Sequence, residues 1–187
     1  MVVCEGRDRN EDNNDKIQDL TQLIQNIAFF TSSHLNIKIV TNYRDTDQLH
    51  NIKVDASKIS LSVNTVLLPP DLEEMTLVYK PCVSAKIFLH DMFPDDDAGL
   101  VLDTDIIILE DLSKLWNMFQ QFDHHQLAAL APVETHYSNV HNIPYYGPPG
   151  LGLNAGIIMF NFTRMRNMVG GGFTESIRYQ NIKLATQ

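Results

Sequence analysis

The sequence predicts an α/β protein with a mostly parallel central sheet and flanking helices. Three observations carry that class. Segments of strand period alternate with segments of helix period: Leu35–Thr41 alternates apolar and polar residues, whereas Ile17, Leu20, Ile24, Ile27 and Ala28 recur at helical spacing. Breaks such as Pro69-Pro70 and Gly147-Pro-Pro-Gly150 punctuate these segments. Finally, Gly99–Leu109 is an apolar run interrupted by Asp103 and Asp105, and open α/β sheets bind ligands beyond the carboxyl ends of their strands.

In chain order, Met1-Val-Val-Cys4 reads as the start of a strand and Lys16–Phe30 as an amphipathic helix. Strands follow at Leu35–Thr41 and around Ile59, Leu61 and Val63. Pro81 fits the first turn of a helix running through Val83, Ile87, Phe88 and Met92. Asp95-Asp-Asp97 reads as a solvated loop leading into a strand at Leu100. Asp111 caps a helix whose stripe Leu112, Leu115, Trp116 and Phe119 reads as core. Leu127–Ala131 and Ile157–Phe160 are short buried strands, and Thr163 caps a last helix that Gly170-Gly-Gly172 interrupts. No boundary divides residues 1–187, so one domain is expected.

A hydrophobic content of 44% and a charged content of 20% over 187 residues are those of an ordinary globular domain. A net charge of −9 argues against a nucleic-acid partner, which calls for a basic face. Phosphate-bearing ligands then need a metal or a few local cations. Cys4 and Cys82 neither demand nor exclude a disulfide. The sequence opens on no cleavable signal peptide and holds no apolar run of membrane-spanning length, so any membrane association is expected through an anchor outside this chain.

Charges inside an apolar strand are costly unless a cation or hydrogen bonds compensate them. In a strand, residues i and i+2 share a side, so Asp103 and Asp105 are placed to face one ion. Hard oxygen ligands suit Mn²⁺, or Mg²⁺, and such ions keep positions open for substrate phosphates. The pair therefore points to a metal–diphosphate site at a strand end.

Three stretches in this order carry a family resemblance: Lys80–Leu89, Val101-Leu-Asp-Thr-Asp-Ile-Ile-Ile-Leu109, and His141–Asn161 with its Leu153-Asn-Ala-Gly156 core. Together they resemble glycosyltransferase family 8 and, within it, the glucoside xylosyltransferases. The resemblance implies a GT-A fold, the Rossmann-like nucleotide-sugar-binding architecture. It also implies Mn²⁺, a UDP-sugar donor (UDP-xylose in the xylosyltransferases), and transfer with retention onto O-linked glucose of EGF-like repeats, in the secretory pathway as membrane-anchored lumenal proteins.

The resemblance places metal ligation on Asp103 and Asp105, and donor contacts on Val3, Cys4, Lys86, Asp103, Thr104, Asn154, Ala155 and Gly156. Lys86 stands where the family commonly has arginine, which keeps the charge but loses the planar fork. Ala155 stands where a serine is usual. The family's Trp-Gly-Asp-Gln-Asp-like block and later histidine are not among these 187 residues. The resemblance therefore implies the donor-binding portion, incomplete at the C-terminus, and weak or no activity for the chain alone.

Plainer readings stand beside these. Lys86 fits an exposed helix face, and Asn154 fits a turn before a strand. Tyr145 and Tyr146 suit an acceptor groove or packing within a Pro/Gly loop. His124 and His125 read as solvent-facing, and Asn161-Phe-Thr163 matches an N-glycosylation sequon. Two rival functions remain: a UDP-sugar-binding pseudoenzyme, and a phosphotransferase of the haloacid-dehalogenase type. The latter expects Gly-Thr after the acidic pair, where Ile106-Ile-Ile-Leu109 stands.

Overall fold

The computed structural model describes residues 2–3, 13–42, 46–69, 81–133 and 152–178. Its elements in chain order are β1 (Val2–Val3), α1 (Asn13–Phe30), β2 (Leu35–Thr41), α2 (Asp47–His50) and β3 (Ile59–Thr65). There follow α3 (Pro81–Lys86), α4 (Leu89–Met92), β4 (Gly99–Leu102), α5 (Ser113–Trp116) continued by a 3-10 helix (Asn117–Gln121), β5 (Ala128–Val133), β6 (Gly152–Phe160) and α6 (Phe162–Arg166).

The strands form two three-stranded sheets, ordered β1-β2-β3 and β4-β6-β5. The first is parallel throughout, with Leu35 opposite Ile59 and Thr41 opposite Thr65. The second is antiparallel, with Leu102 of β4 opposite Ile157 of β6. The α/β class and the flanking helices are as the sequence predicts, while the parallel pairing is confined to the first sheet. Apolar periodicity reports which residues are buried but carries no strand direction.

Period-2 alternation sorts the side chains into two cores. Ile37 and Ile39 of β2 and Leu102 of β4 pack with Leu20, Leu23, Ile24 and Ile27 of α1. Val40 and Val101, each adjacent in sequence to one of these, pack in the other core with Leu89 of α4, Ile158 and Phe160 of β6, and Phe162 and Met165 of α6. Both sheets thus contribute to both cores, with α1 on one side and α4 and α6 on the other.

The loop entering β4 is held more firmly than its charge suggested. Lys38 Nζ lies 2.5 Å from Asp96 Oδ2 and 4.4 Å from the Phe93 ring centroid. Thr163 Oγ1 donates to Asp97 Oδ1 at 2.7 Å, and Thr163 N donates to the Asp97 carbonyl at 3.0 Å. Arg166 donates to the carbonyls of His90 (2.9 Å), Phe93 (3.2 Å) and Asp96 (2.7 Å). Asp96 and Asp97 are therefore structural, which corrects the merely solvated reading for these two, while Asp95 is exposed as that reading expects.

Other local expectations change as well. The helix expected from Pro81 to Met92 is two short helices, α3 and α4, parted by a turn at Ile87 and Phe88. The cap of α6 is Asn161, whose Oδ1 accepts from Arg164 N at 2.9 Å, because Thr163 is spent on Asp97. The α5 stripe is not core: no residue of α5 is buried, and Trp116 is 47% exposed, stacked edge-on against Phe119. Only Leu112, just before α5, packs against the α1 core.

Asp111 works as expected at the start of α5 and does more. Its Oδ1 accepts from Ser113 N at 2.8 Å, while Oδ2 accepts from Ser32 N at 2.8 Å and Ser32 Oγ at 2.6 Å. The Ser32 hydroxyl, followed by the backbone donors, holds this carboxyl well below the usual carboxylate range. Asp111 thereby ties the end of α1 to the segment that follows the acidic pair.

Past α6, Gly170, Gly171 and Gly172 all have positive φ. A Cβ on Gly172 would also lie 3.0 Å from the Arg166 carbonyl, so the turn favours glycine twice over. It returns the chain so that Thr174, in helical residues 173–178, meets buried His90 of α4 at 3.1 Å. Burial holds the His90 imidazole below its ordinary range.

Candidate functional site

The site is built where β4 ends beside the middle of β6. Leu102 is the last residue of β4, yet the ladder runs one bond further: Asp103 N donates to the Gly156 carbonyl at 2.9 Å. Thr104 and Asp105 then turn away from the sheet. The i, i+2 strand argument for the two carboxylates is therefore corrected, because the strand stops before the first of them. The reason is visible downstream. Ile108 is buried in the α1 core and its N–H donates to Asn26 Oδ1 at 2.6 Å, which draws the chain off the sheet and leaves Ile107 and Leu109 exposed.

Asp103 is half-buried and Asp105 exposed. Lys86, at the last residue of α3, reaches across to Asp103: its Nζ lies 2.5 Å from Oδ1 and 3.1 Å from the Ala155 carbonyl. The Lys86 side chain is only 10% exposed, so the exposed-face alternative fails and an ion pair takes its place. The pair is enclosed on the lysine side only: the Asp103 side chain is 37% exposed, so water still reaches the carboxylate.

β6 presents the third wall. Leu130 pairs with Ile158 but the next residue, Ala131, pairs with Asn154, so residues 155–157 bulge with no partner on β5. Asn154 Oδ1 accepts from Gly156 N at 2.6 Å, which braces the bulge. Asn154 does not shape a turn before the strand, as the plainer reading had it; it lies within β6 and shapes the bulge. A Cβ on Gly156 would lie 2.9 Å from Asn154 Oδ1 and 3.7 Å from Asp103 Oδ2. Glycine keeps this cradle open, with two oxygens beside it.

The cradle supplies the test for a divalent cation. Among the described residues no three His, Cys, Asp or Glu side chains converge. Asp103 Oδ2 nonetheless borders the open space over Gly156, while the exposed Asp105 stands two residues on and lines the cleft against α1; carboxylate oxygens of this kind suit a hard divalent ion. The residues present fit such an ion.

Two clefts flank this point. One of about 420 Å³ is lined by Thr104 and Asp105 together with Asp19, Gln22 and Asn26 of α1. Another of about 700 Å³ lies between β2 and β4 and does not include Asp103.

The structure thus brings together Lys86, Asp103, Asn154, Ala155 and Gly156, with Thr104 and Asp105 on the adjoining turn. Val3 pairs through its backbone with Thr41 at the end of β2. Cys4, Tyr145 and Tyr146 lie outside the described residues. His124 and His125 are exposed, as expected. The sequence reading allowed Lys86 a phosphate or carboxylate partner without naming Asp103, and it did not disclose the β6 bulge. The only available signal was the Asn-x-Gly spacing at Asn154 and Gly156.

Comparison with known proteins fits this geometry. Residues 7–170 match the model of glycosyl transferase family 8. Glucoside xylosyltransferase 1 of Gallus gallus is 27% identical over 165 residues, covering 81% of this chain and 37% of that protein. Glucoside xylosyltransferase 2 of Mus musculus is 35% identical over 100 residues, covering 51% of this chain and 22% of that protein. The chain therefore spans well under half the length of these relatives. Among solved structures, apo mouse xyloside xylosyltransferase 1 shares the fold with a TM-score of 0.67 at 16% identity, over 90% of this chain and 68% of that one. The galactosyltransferase LgtC, in complex with donor and acceptor sugar analogs, gives 0.59 at 14% identity, over 89% of this chain and 59% of that one. The fold is that of the GT-A glycosyltransferases, and the chain belongs to glycosyl transferase family 8.

Proposed function

We propose that these residues form the donor-binding portion of a retaining glycosyltransferase, one domain that takes a UDP-sugar together with a divalent cation. The observation that carries the reading is the meeting of Asp103, Lys86 and the Asn154–Gly156 bulge at the end of β4, inside the segment that matches the family. Asp103 and Asp105 would hold Mn²⁺, with Mg²⁺ as the substitute. Bound there, the ion supplies charge neutralisation at the diphosphate of the departing UDP.

Each side chain has a task of its own. Lys86 offers a mobile ammonium to phosphate oxygens, a point charge where an arginine would offer a fork. Asn154 keeps its amide nitrogen for sugar hydroxyls while its oxygen braces the bulge. Gly156 leaves room for the sugar ring, and Ala155 contributes its carbonyl to hold Lys86. Thr104 and Asp105 border the cleft against α1, and Val3 and Cys4 are assigned to the uracil or ribose.

UDP-xylose is the proposed donor, and O-linked glucose on EGF-like repeats the proposed acceptor, with Tyr145 and Tyr146 towards it. The names of the similar xylosyltransferases support this choice. A secretory-pathway setting goes with it, where Asn161 is a glycosylation candidate.

The test is a thermal-shift series with Mn²⁺ and each of UDP-xylose, UDP-glucose and UDP-galactose. UDP-xylose is expected to raise Tm most, and Mn²⁺ to be required for the shift. Equal stabilisation by all three sugars would leave a UDP site without the proposed donor choice. No shift with any UDP ligand would overturn the reading.

A further inference from the structure

Lys86 occupies the carboxylate that the proposed cation needs. Its Nζ sits 2.5 Å from Asp103 Oδ1, anchored from behind by the Ala155 carbonyl at 3.1 Å, and its side chain is 10% exposed. An ammonium and a divalent ion on one carboxylate repel each other. We propose that Lys86 is an internal counter-ion that keeps the divalent cation off Asp103 until a nucleoside diphosphate arrives and draws the lysine onto its phosphates. This inference rests on the reading of Asp103 as a cation ligand.

The structure shows the lysine at one station, on Asp103, and the proposed second station is on the phosphates. Its flexible four-carbon stem lets the ammonium leave Asp103 without moving the α3 backbone. The bulge carbonyl of Ala155 holds the resting station, and the open cradle over Gly156, 3.7 Å from Asp103 Oδ2 at its nominal Cβ, marks where the ligand side begins. Cation and diphosphate then bind with positive coupling, because the diphosphate removes the group that opposes the cation. The resting pair also compensates the Asp103 charge when no ligand is present.

The experiment measures Mn²⁺ affinity by electron paramagnetic resonance of free Mn²⁺, with and without saturating UDP, in wild type, Lys86→Gln, Lys86→Arg and Asp103→Asn. Glutamine keeps a hydrogen-bond donor near Asp103 and Ala155 but removes the charge. Lys86→Gln is expected to bind Mn²⁺ alone about tenfold more tightly than wild type, and to lose about tenfold of the coupling to UDP. Lys86→Arg, which keeps the charge, is expected to retain the wild-type weakness for Mn²⁺ alone. A merely structural role for Lys86 would weaken Mn²⁺ binding in both variants. Unchanged or weaker binding in Lys86→Gln, with Asp103→Asn still abolishing it, would overturn the inference and leave the cation site standing. Absence of Mn²⁺ binding in every protein, with or without UDP, would overturn both.

Discussion

Replacing Asp103 with asparagine is expected to weaken Mn²⁺-dependent UDP binding by about a hundredfold, equivalent to ~2.7 kcal/mol. The substitution is nearly isosteric, and its amide oxygen still accepts from Lys86, so the contact between α3 and the end of β4 survives. The backbone bond from residue 103 to the Gly156 carbonyl is untouched. What disappears is the formal charge, and a hard divalent ion discriminates strongly between a carboxylate and an amide. Isothermal titration with UDP, with and without Mn²⁺, separates the two contributions. The variant should retain the weak, metal-independent binding and lose the rest. Its melting temperature without ligand is expected to stay near that of wild type, which distinguishes a lost ligand site from a lost fold.

Replacing Arg166 with methionine is expected to cost about 3 kcal/mol of stability, since a charged donor group serving partly buried carbonyls is worth more than a neutral one. The methionine keeps the apolar stem, so the loss isolates the guanidinium. That group bonds the carbonyls of His90, Phe93 and Asp96 at once, spanning the segment between α4 and β4. Arg166→Lys should recover only part of the loss, because an ammonium has no planar fork to serve three acceptors. Urea denaturation of the three proteins checks the ranking. The effect bears on the site as well: the segment that Arg166 holds feeds directly into β4, whose end carries Asp103.

The second prediction turns on contacts that the sequence conceals, and this marks where its legibility ends. The α1 helix was readable because Leu20, Ile24 and Ile27 repeat at the helical period and all three are buried in one core. β2 was readable to the residue, because Leu35–Thr41 alternates and the strand has those bounds. The end of β4 was readable from the apolar run, which stops being strand at Leu102, just before Asp103.

The Lys86–Asp103 pair was not readable, since nothing local in either residue announces a partner 17 positions away. The same holds for Arg166 and its carbonyls and for Lys38 and Asp96, where the charged loop looked solvated because loop charges usually are. Trp116 misled in the other direction. Its stripe has helical period, but α5 is one turn long and lies at the surface. The antiparallel second sheet was hidden because the usual pattern is reversed here: continuous apolar runs suggest parallel strands buried on both faces, yet Leu100–Leu102 and Ile157–Phe160 pair antiparallel.

The central claim is that Asp103 and Asp105 form a divalent-cation and nucleoside-diphosphate site at the end of β4. Anomalous scattering at the manganese edge, from crystals grown with UDP and Mn²⁺, tests it most directly. A single peak within coordination distance of an Asp103 carboxylate oxygen, bridging to the diphosphate over Gly156, is the predicted result. UDP bound there with no manganese on either aspartate, or manganese bound elsewhere on the chain, would contradict it.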